Sequence, residues 1–289
     1  MARSASTTFP TWCDVAKNRR LFAYLSPLIL PLVPGRAGAT HFSLNLANAL
    51  EDVAGDPGDA EIACRIQVFV AGEAASDETR TIRVKAGKPD QSHVDCRFAP
   101  EALGYAEITI TADRPFFRKI LTEHMYSIVE RPDGGTFIVN AAFKFSDPVT
   151  INLMRRIGKF CLVHPAHCVA KARNIGNSAL IVNPFEGPVA ARLATRTGKE
   201  IRRRLAPHQA ALIPLEELID DDRISCVLYT GSNRYPGWDV RHAFGDANRI
   251  NRIDHLEFFR GDPTIRHLST KQYVRAALRN TARNLGLRN

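Results

Sequence analysis

The chain has no apolar run of the length that a bilayer-spanning helix requires, although 45% of its 289 residues are hydrophobic. It also lacks a Gly-x-x-x-x-Gly-Lys phosphate loop, a dinucleotide-binding fingerprint and a Gly-x-Ser-x-Gly nucleophile elbow. These absences argue against an integral membrane protein and against the enzyme families that need those motifs. We expect no cofactor, and an enzyme is the less favoured of the function classes.

The chain has no dense disulfide framework in its sequence, because the spacing of its six cysteines does not resemble one. Cys64, Cys161 and Cys226 lie inside apolar runs, where a reduced cysteine behaves as a small core side chain. Cysteine usage therefore does not decide between a reducing and an oxidising compartment.

One cluster has metal-like spacing. Its members are Cys161, His164, His167 and Cys168. Four ligands within eight residues, with Pro165 among them, would strain the tetrahedral geometry that zinc prefers. We therefore expect no metal here, but a strand that ends at Val163, a turn at Pro165 and a second strand from Cys168.

The chain does contain a faint internal repeat of short β-type runs and turn signals. The first copy comprises residues 64–70, 81–84, 89–91 and 107–111, and the second comprises residues 189–193, 200–202, 207–209 and 224–228. The Pro-x-Gln turns of the two copies stand about 118 residues apart. Short alternating runs separated by Gly, Pro, Asn and Asp indicate sandwiches of antiparallel sheets. The repeat therefore predicts two similar β-domains.

Residues 179–184, followed by a strand, a Gly turn, a strand and a Pro-His turn, resemble the Ig-like or fibronectin-like sandwich modules of many bacterial envelope and accessory proteins. The resemblance covers residues 177–230 and implies a fold rather than a function. We predict a mainly β protein with an N-terminal segment over 1–40, sandwiches over 41–147 and 148–262, and a C-terminal helix over 263–289. The clearest predicted hairpin turns at residues 132–135, where Pro-Asp-Gly-Gly separates two apolar runs.

The N-terminal segment has two interpretations. Basic residues precede an apolar stretch over 21–34, and Ala37-Gly38-Ala39 offers a signal-peptidase site. The prolines in that stretch argue against a signal, and the second copy has a similar basic-then-apolar entry at 155–163. We favour a first strand in a cytoplasmic protein, with export after cleavage at Ala39 as the alternative.

Positive charge is concentrated in the second half. Residues 151–289 carry 23 Lys and Arg against 12 Asp and Glu, whereas residues 1–150 carry 16 against 18. A basic stripe with a four-residue spacing marks the predicted C-terminal amphipathic helix: Lys271, Arg275, Arg279 and Arg283. The stripe is either a solvated face or a contact for an acidic protein or for anionic lipid. Nucleic acid is the least favoured partner, because no nucleic-acid-binding motif accompanies the charge.

A stretch rich in aromatic and charged residues, 232–259, is the candidate ligand site. Its candidate ligand-binding residues are Arg234, Tyr235, Trp238, Asp239, Arg241 and His242. In a loop at the end of a sandwich, Tyr235 and Trp238 would stack on a sugar ring while the polar side chains meet its hydroxyls. The alternative is that Trp238 fills the domain core.

The leading hypothesis is a non-catalytic binding or assembly module that recognises carbohydrate or a protein partner through these loops. A hydrolase or lyase that uses His and carboxylate side chains from the same stretch is the first alternative, although adjacent residues such as Asp254 and His255 point to opposite faces of a strand. A structural protein that self-associates through sandwich edges is the second.

Overall fold

The computed structural model describes residues 27–45, 60–84, 93–112, 126–144, 161–231, 235–258 and 278. The chain divides into two compact units. Unit 1 comprises residues 1–69, 74–101 and 105–145, and unit 2 comprises residues 70–73, 102–104 and 146–289. The described secondary structure is almost entirely β, and a single 3₁₀ turn, Lys171–Arg173, interrupts the strands of the described ranges. Within those ranges, no helix combines the length and the apolar character needed to cross a membrane.

Unit 1 contains a five-stranded and a four-stranded sheet. The strands are β1 (Leu28–Leu32), β2 (Ala39–Asn45), β3 (Ala60–Val70), β4 (Glu73–Val84), β5 (His93–Phe98), β6 (Gly104–Ala112), β7 (Tyr126–Glu130), β8 (Thr136–Asn140) and β9 (Ala142–Phe143). The five-stranded sheet has the order β4-β3-β6-β1-β9, and the four-stranded sheet has the order β5-β2-β7-β8. The apolar stretch of the N-terminal segment thus supplies β1, in which all five residues are buried.

Alternation of apolar and polar residues sets the strand faces of unit 1. In β3, Cys64 and Ile66 are buried, whereas Arg65 between them is exposed and forms a salt bridge with Asp77 of β4. The predicted hairpin is formed by β7 and β8, which pair in antiparallel register. Its turn is closed by a hydrogen bond from the Gly134 N–H to the Arg131 carbonyl, and Gly134 adopts φ +84°, a conformation that glycine accepts without steric cost.

Unit 2 repeats the pattern of a five-stranded and a four-stranded sheet. Its strands are β10 (Cys161–Val169), β11 (Ile175–Val182), β12 (Val189–Thr195), β13 (Glu200–Leu205), β14 (Ala210–Pro214), β15 (Arg223–Gly231), β16 (Gly237–Ala243), β17 (Asp246–His255) and β18 (Glu257–Phe258). The sheet orders are β13-β12-β15-β10-β18 and β14-β11-β16-β17. Side chains from the two sheets share one apolar core, which includes Ile181 of β11, Leu193 of β12 and Val227 of β15. Unit 2 is therefore a β-sandwich.

The two units have the same strand order. Each strand of unit 1 corresponds to the strand nine places later in unit 2, in both sheets. This order differs from that of an immunoglobulin constant domain, where the first strand lies beside the second and the seventh beside the sixth. In unit 2 the first strand, β10, pairs with the sixth, β15, and the seventh, β16, pairs with the second, β11.

Two local predictions are wrong. Residues 161–169 form one strand, not two strands around a turn, because Pro165 falls at a β-bulge between His164 and His167, where the ladder does not need its missing N–H. Residues 237–255, expected to be loop-rich, form the paired strands β16 and β17. Their polar side chains misled the prediction: those of β16 are hydrogen-bonded to neighbouring groups on the two faces of the strand, and those of the edge strand β17 largely face solvent.

Candidate functional site

Two buried polar networks lie on opposite faces of the β11–β16 pair. Because successive side chains of a strand point to opposite faces, Asn177 and Asp239 face the five-stranded sheet, whereas Ser178 and His242 face the other side. All four side chains are buried. Buried polar groups are tolerated where hydrogen bonds offset the cost of their desolvation. Each network is therefore a set of hydrogen-bonded polar side chains among buried apolar residues.

The first network joins the two sheets of unit 2 through His167. The Nδ1 atom of His167 lies 2.8 Å from the Asp239 Oδ1 atom and 3.2 Å from the Asn177 Oδ1 atom. Its Nε2 atom lies 2.6 Å from the Tyr229 hydroxyl. With the ring neutral, Nδ1–H donates to the carboxylate and Nε2 accepts the Tyr229 proton. The chain Tyr229–His167–Asp239 is thus a hydrogen-bonded relay across the sandwich.

Desolvation governs the electrostatics of this relay. Burial raises the pKa of Tyr229 well above its ordinary value, and the nearby Asp239 carboxylate adds to the effect. The second oxygen of Asp239 lies 3.5 Å from the Nε atom of Arg241, whose side chain is 34% exposed. Arg241 also donates to the Ala166 carbonyl, at the bulge of β10. The positive charge of the guanidinium group therefore compensates part of the negative charge of the buried carboxylate. The group lies at the end of the relay nearest to solvent.

The second network pairs a hydroxyl with an imidazole. The Ser178 Oγ atom lies 2.8 Å from the His242 Nε2 atom, and the His242 Nδ1 atom lies 2.9 Å from the Ala243 carbonyl oxygen. The carbonyl fixes Nδ1 as the donor, so Nε2 accepts the Ser178 proton. Gly176 stands directly opposite His242 in the ladder, and a Cβ atom there would lie 2.5 Å from the ring. Glycine at this position therefore makes room for the imidazole.

Both networks contain groups that act in catalysis elsewhere, but neither is open to a substrate. A serine hydroxyl on an imidazole has the geometry of a nucleophile and its general base. However, Ser178 is 1% exposed, His242 is 4% exposed and His167 is 0% exposed. The arrangement found in this structure fixes strands to one another, and any chemistry would require these buried side chains to become exposed.

The predicted ligand-binding residues do not form an exposed aromatic shelf. Tyr235 is buried and donates its hydroxyl to the Thr230 carbonyl, and Trp238 is 0% exposed. Asp239 and His242 belong to different networks on opposite faces of β16, and Arg241 joins Asp239. Trp238 is thus buried, but on the face of β16 that points away from the five-stranded sheet. Arg234 lies outside the described residues.

The predicted partner-binding stripe also lies outside the described residues, since Leu278 alone represents the C-terminal segment. Of the metal-like cluster, the structure describes only the backbone of Cys161 and His164. His167 is part of the relay with Tyr229 and Asp239, and Cys168 is a half-buried free thiol.

A solvent-facing surface that the sequence analysis did not identify lies on the five-stranded sheet of unit 2. On β15, Ile224 is 72% exposed and Leu228 is 37% exposed, while Val227 and Tyr229 point into the core. Three exposed arginines lie on the same side of the neighbouring strands β12 and β13: Arg192, Arg202 and Arg204. We call Ile224, Leu228 and these three arginines the outer face.

No known protein family matches the sequence, and no curated protein matches it. The crystal structure of Thermotoga maritima 1070 is similar over 36% of this chain and 97% of its own, with 12% identity and a TM-score of 0.27. Bacteroides uniformis beta-glucuronidase 2, as a calcium binding mutant, is similar over 81% of this chain and 27% of its own, with 8% identity and a TM-score of 0.13. Its form covalently bound to cyclophellitol-6-carboxylate aziridine is similar over 80% of this chain and 26% of its own, with 8% identity and a TM-score of 0.14. These TM-scores are too low to assign a family or a fold.

Sequence reasoning missed most of the site because its members are far apart in the chain. His167 meets Tyr229 and Asp239 across 62 and 72 residues. One local signal was present: an isolated proline inside an apolar run marks a bulge as readily as a turn, and a bulge keeps the following histidine within the strand. The outer face had no such signal, because apolar residues at both parities of a strand predict burial on both faces.

Proposed function

We propose that this protein is a non-catalytic binding module that docks an acidic, partly aliphatic protein surface on the outer face of unit 2. One observation carries the proposal: Ile224 and Leu228 are exposed on a regular sheet beside a row of arginines. Isolated exposed hydrophobic residues are common, whereas two on the same side of one strand beside exposed arginines fit an interaction site, where apolar residues and arginine are enriched.

The charge of the outer face favours an acidic partner. Glu200 accepts hydrogen bonds from Arg192 at 2.6 Å and from Arg202 at 2.8 Å, and Arg192 in particular lowers the pKa of its carboxyl group. One carboxylate thus faces the guanidinium groups of two arginines, and Arg204 adds a third positive charge on the same side. The excess positive charge would attract a partner rim of Asp or Glu and speed its association.

The apolar part of the outer face limits the partner further. A purely ionic ligand would gain nothing from Ile224 and Leu228, whereas aliphatic side chains would bury them. Two half-buried thiols adjoin these residues: Cys226 lies between them on β15, and Cys168 of β10 lies directly opposite Ile224. A partner with a central aliphatic patch and an acidic rim therefore fits better than a polysaccharide or a nucleic acid.

A display selection tests this function. Random twelve-residue peptides are selected on the full chain and counter-selected on the Ile224→Glu variant. We expect the enriched peptides to combine Asp or Glu with Leu, Ile or Val, and their binding to weaken as salt rises. Ile138→Glu, which changes another exposed isoleucine, in unit 1, is the matched control and should retain binding. Enrichment of basic peptides, or equal binding by both variants, would reject the proposal.

A second candidate function is acyl hydrolysis, which requires the buried Ser178 and His242 side chains to become exposed, and the Ser178–His242 contact is the observation that favours it. A fluorophosphonate probe on the full chain should then label Ser178, and the His242→Ala variant should lose the label. Absence of label on the folded protein would leave this pair with a structural role alone.

We also propose that the chain contains a duplicated module. The identical strand order of the two units supports a common origin, as does the offset of about 118 residues between the Pro-x-Gln turns. In the docking function, the two copies have diverged: the exposed arginine row lies on unit 2, and the corresponding strands β3 and β4 of unit 1 pair Arg65 with Asp77.

A further inference from the structure

The edge strand β8 of unit 1 presents an exposed apolar side chain and no charge. It runs from Thr136 to Asn140 with the sequence Thr-Phe-Ile-Val-Asn, and its central Ile138 is 62% exposed. Ile128 of β7 lies directly opposite Ile138 and is 39% exposed. The two isoleucines form an apolar pair at the rim of the four-stranded sheet.

Other edges of the described sheets are protected against strand pairing. Edge strands β4, β5, β13 and β17 each contain at least two charged residues, β14 ends in proline, and β9 and β18 have two residues each. Charge, proline and short length are the usual means by which natural sheets prevent edge-to-edge association. The comparison with β17 is the most direct, because β17 occupies in unit 2 the position of β8 in unit 1. Strand β8 lacks the protection of its counterpart.

The hydrogen-bond pattern of the hairpin shows which backbone groups face outward. The Arg131 N–H donates to the Gly135 carbonyl at 2.7 Å, so these two residues form a hydrogen-bonded pair. Such pairs alternate with non-hydrogen-bonded pairs along an antiparallel ladder. Ile128 and Ile138 are three steps from that pair and are non-hydrogen-bonded. The N–H and C=O groups of Ile138 therefore point away from β7, toward the open side of the strand.

We propose that β8 pairs antiparallel with β8 of a second copy of this chain, with Ile138 on the two-fold axis. Each Ile138 N–H then donates to the Ile138 carbonyl of the other copy, and the two four-stranded sheets become one sheet without the unprotected edge. The exposed side of that joined sheet has four isoleucines in a row, from Ile128 of one copy to Ile128 of the other.

Charge and symmetry favour a second copy over a foreign strand. An uncharged strand brings no like charges together when it meets itself, and the charged residues of the hairpin, Glu130, Arg131 and Asp133, lie at its turn end in each copy. Antiparallel pairing places these ends at opposite extremes of the joined strands. The central isoleucine is its own apolar complement, so an isologous contact needs no second surface.

Sedimentation equilibrium of the full chain over a wide concentration range tests the association. We expect a monomer–dimer equilibrium for the wild type. Ile138→Lys places two like charges at the axis and should raise the dissociation constant at least tenfold. Ile138→Pro removes the outward N–H without removing a hydrogen bond to β7 and should weaken the dimer as well. Ile224→Lys, on the other unit, is the matched control and should dimerise like the wild type.

Cysteine cross-linking tests the register. In a hydrogen-bonded antiparallel pair the Cα atoms lie about 5.5 Å apart, which a disulfide spans. The Ile138→Cys variant should therefore form a covalent dimer under mild oxidation. The Thr136→Cys variant should not, because its thiols would be four residues apart along the strands, or about 14 Å. The wild type measures any cross-linking through native thiols.

Three results would each overturn the proposal. The first is a wild-type chain that stays monomeric at every concentration. The second is a dimer whose dissociation constant Ile138→Lys leaves unchanged, since such a dimer uses another surface. The third is a covalent dimer of Thr136→Cys without one of Ile138→Cys, since that result requires a different register.

Discussion

Replacing Gly176 with alanine should destabilise unit 2 by about 2–6 kcal/mol, because overpacking costs about 1–3 kcal/mol and a buried hydroxyl left without its partner costs a similar amount. The added Cβ would lie 2.5 Å from Cε1 and 2.6 Å from Nδ1 of His242, well inside van der Waals contact. His242 cannot swing away without losing its bonds to Ser178 and to the Ala243 carbonyl. The methyl group therefore displaces a fixed ring.

A double-mutant cycle isolates this clash. The Gly176→Ala change is measured in the wild type and in the His242→Ala variant, by urea unfolding followed through the fluorescence of the buried Trp238 in a Trp12→Phe background. We expect the cost of the alanine to fall below 1 kcal/mol, or to reverse, when the ring is absent.

Gly135→Ala is the matched control for the cycle. A Cβ atom at that position would also meet a neighbour, but the neighbour is the flexible guanidinium end of Arg131, which can move aside. Its effect should stay within about 0.5 kcal/mol. If Gly176→Ala has the same cost in both backgrounds, the contact between Gly176 and His242 does not determine this site.

Three other predictions concern buried ionisable groups, all measured by urea unfolding. Burial raises the pKa of Tyr229, so the contribution of its neutral phenol to the free energy of unfolding is full below pH 10. Above pH 10 this contribution should fall by about 1.4 kcal/mol per pH unit. The Tyr229→Phe variant should not show this decrease in stability with pH. Burial raises the pKa of Cys64 to about 12, so the contribution of its neutral thiol to stability is full below the ordinary pKa of 9.0 and is lost as pH rises toward 12. The Cys64→Ala variant should therefore lose less stability over this pH range. Ellman's reagent should not react with the thiol in the folded protein. Asp239→Ala should cost about 3–5 kcal/mol, since it removes a buried charged partner, whereas Asp222→Ala, at an exposed ion pair, should cost less than about 1 kcal/mol.

Local sequence signals predicted much of the β architecture. The Pro-Asp-Gly-Gly turn is specified within four residues, because Gly134 supplies the positive φ that the turn requires, and the predicted hairpin is confirmed. The repeated order of runs and turns predicted two similar domains, and the two units do share one strand order. Local signals cannot predict which strands pair with one another in a sheet, because nothing in the local sequence indicates that β10 pairs with β15 rather than with β11.

The interior polar chemistry could not be predicted, because polar residues in a strand look like loop residues until their partners are known. The stretch around Trp238 was interpreted as an exposed binding loop on account of its charge and aromatic content. In the structure, Asp239 is bonded to His167 and His242 to Ser178, and these bonds allow β16 to run through the interior. A pattern of residue types along the sequence does not show which residues more than sixty positions apart are in contact.

The polar residues of β16 have a consequence for the specificity of the fold. A sheet register is weakly specified when both faces of a strand are apolar, because a slip by one residue exchanges one buried face for the other at little cost. Both faces of β16 are buried, with Trp238 and Val240 on one face and Asp239 on the other. A one-residue slip would turn Asp239 away from His167 into an apolar layer and leave a buried carboxylate unpaired. That penalty is several times the gain from a typical apolar contact, so Asp239 fixes the register that apolar packing alone would leave open.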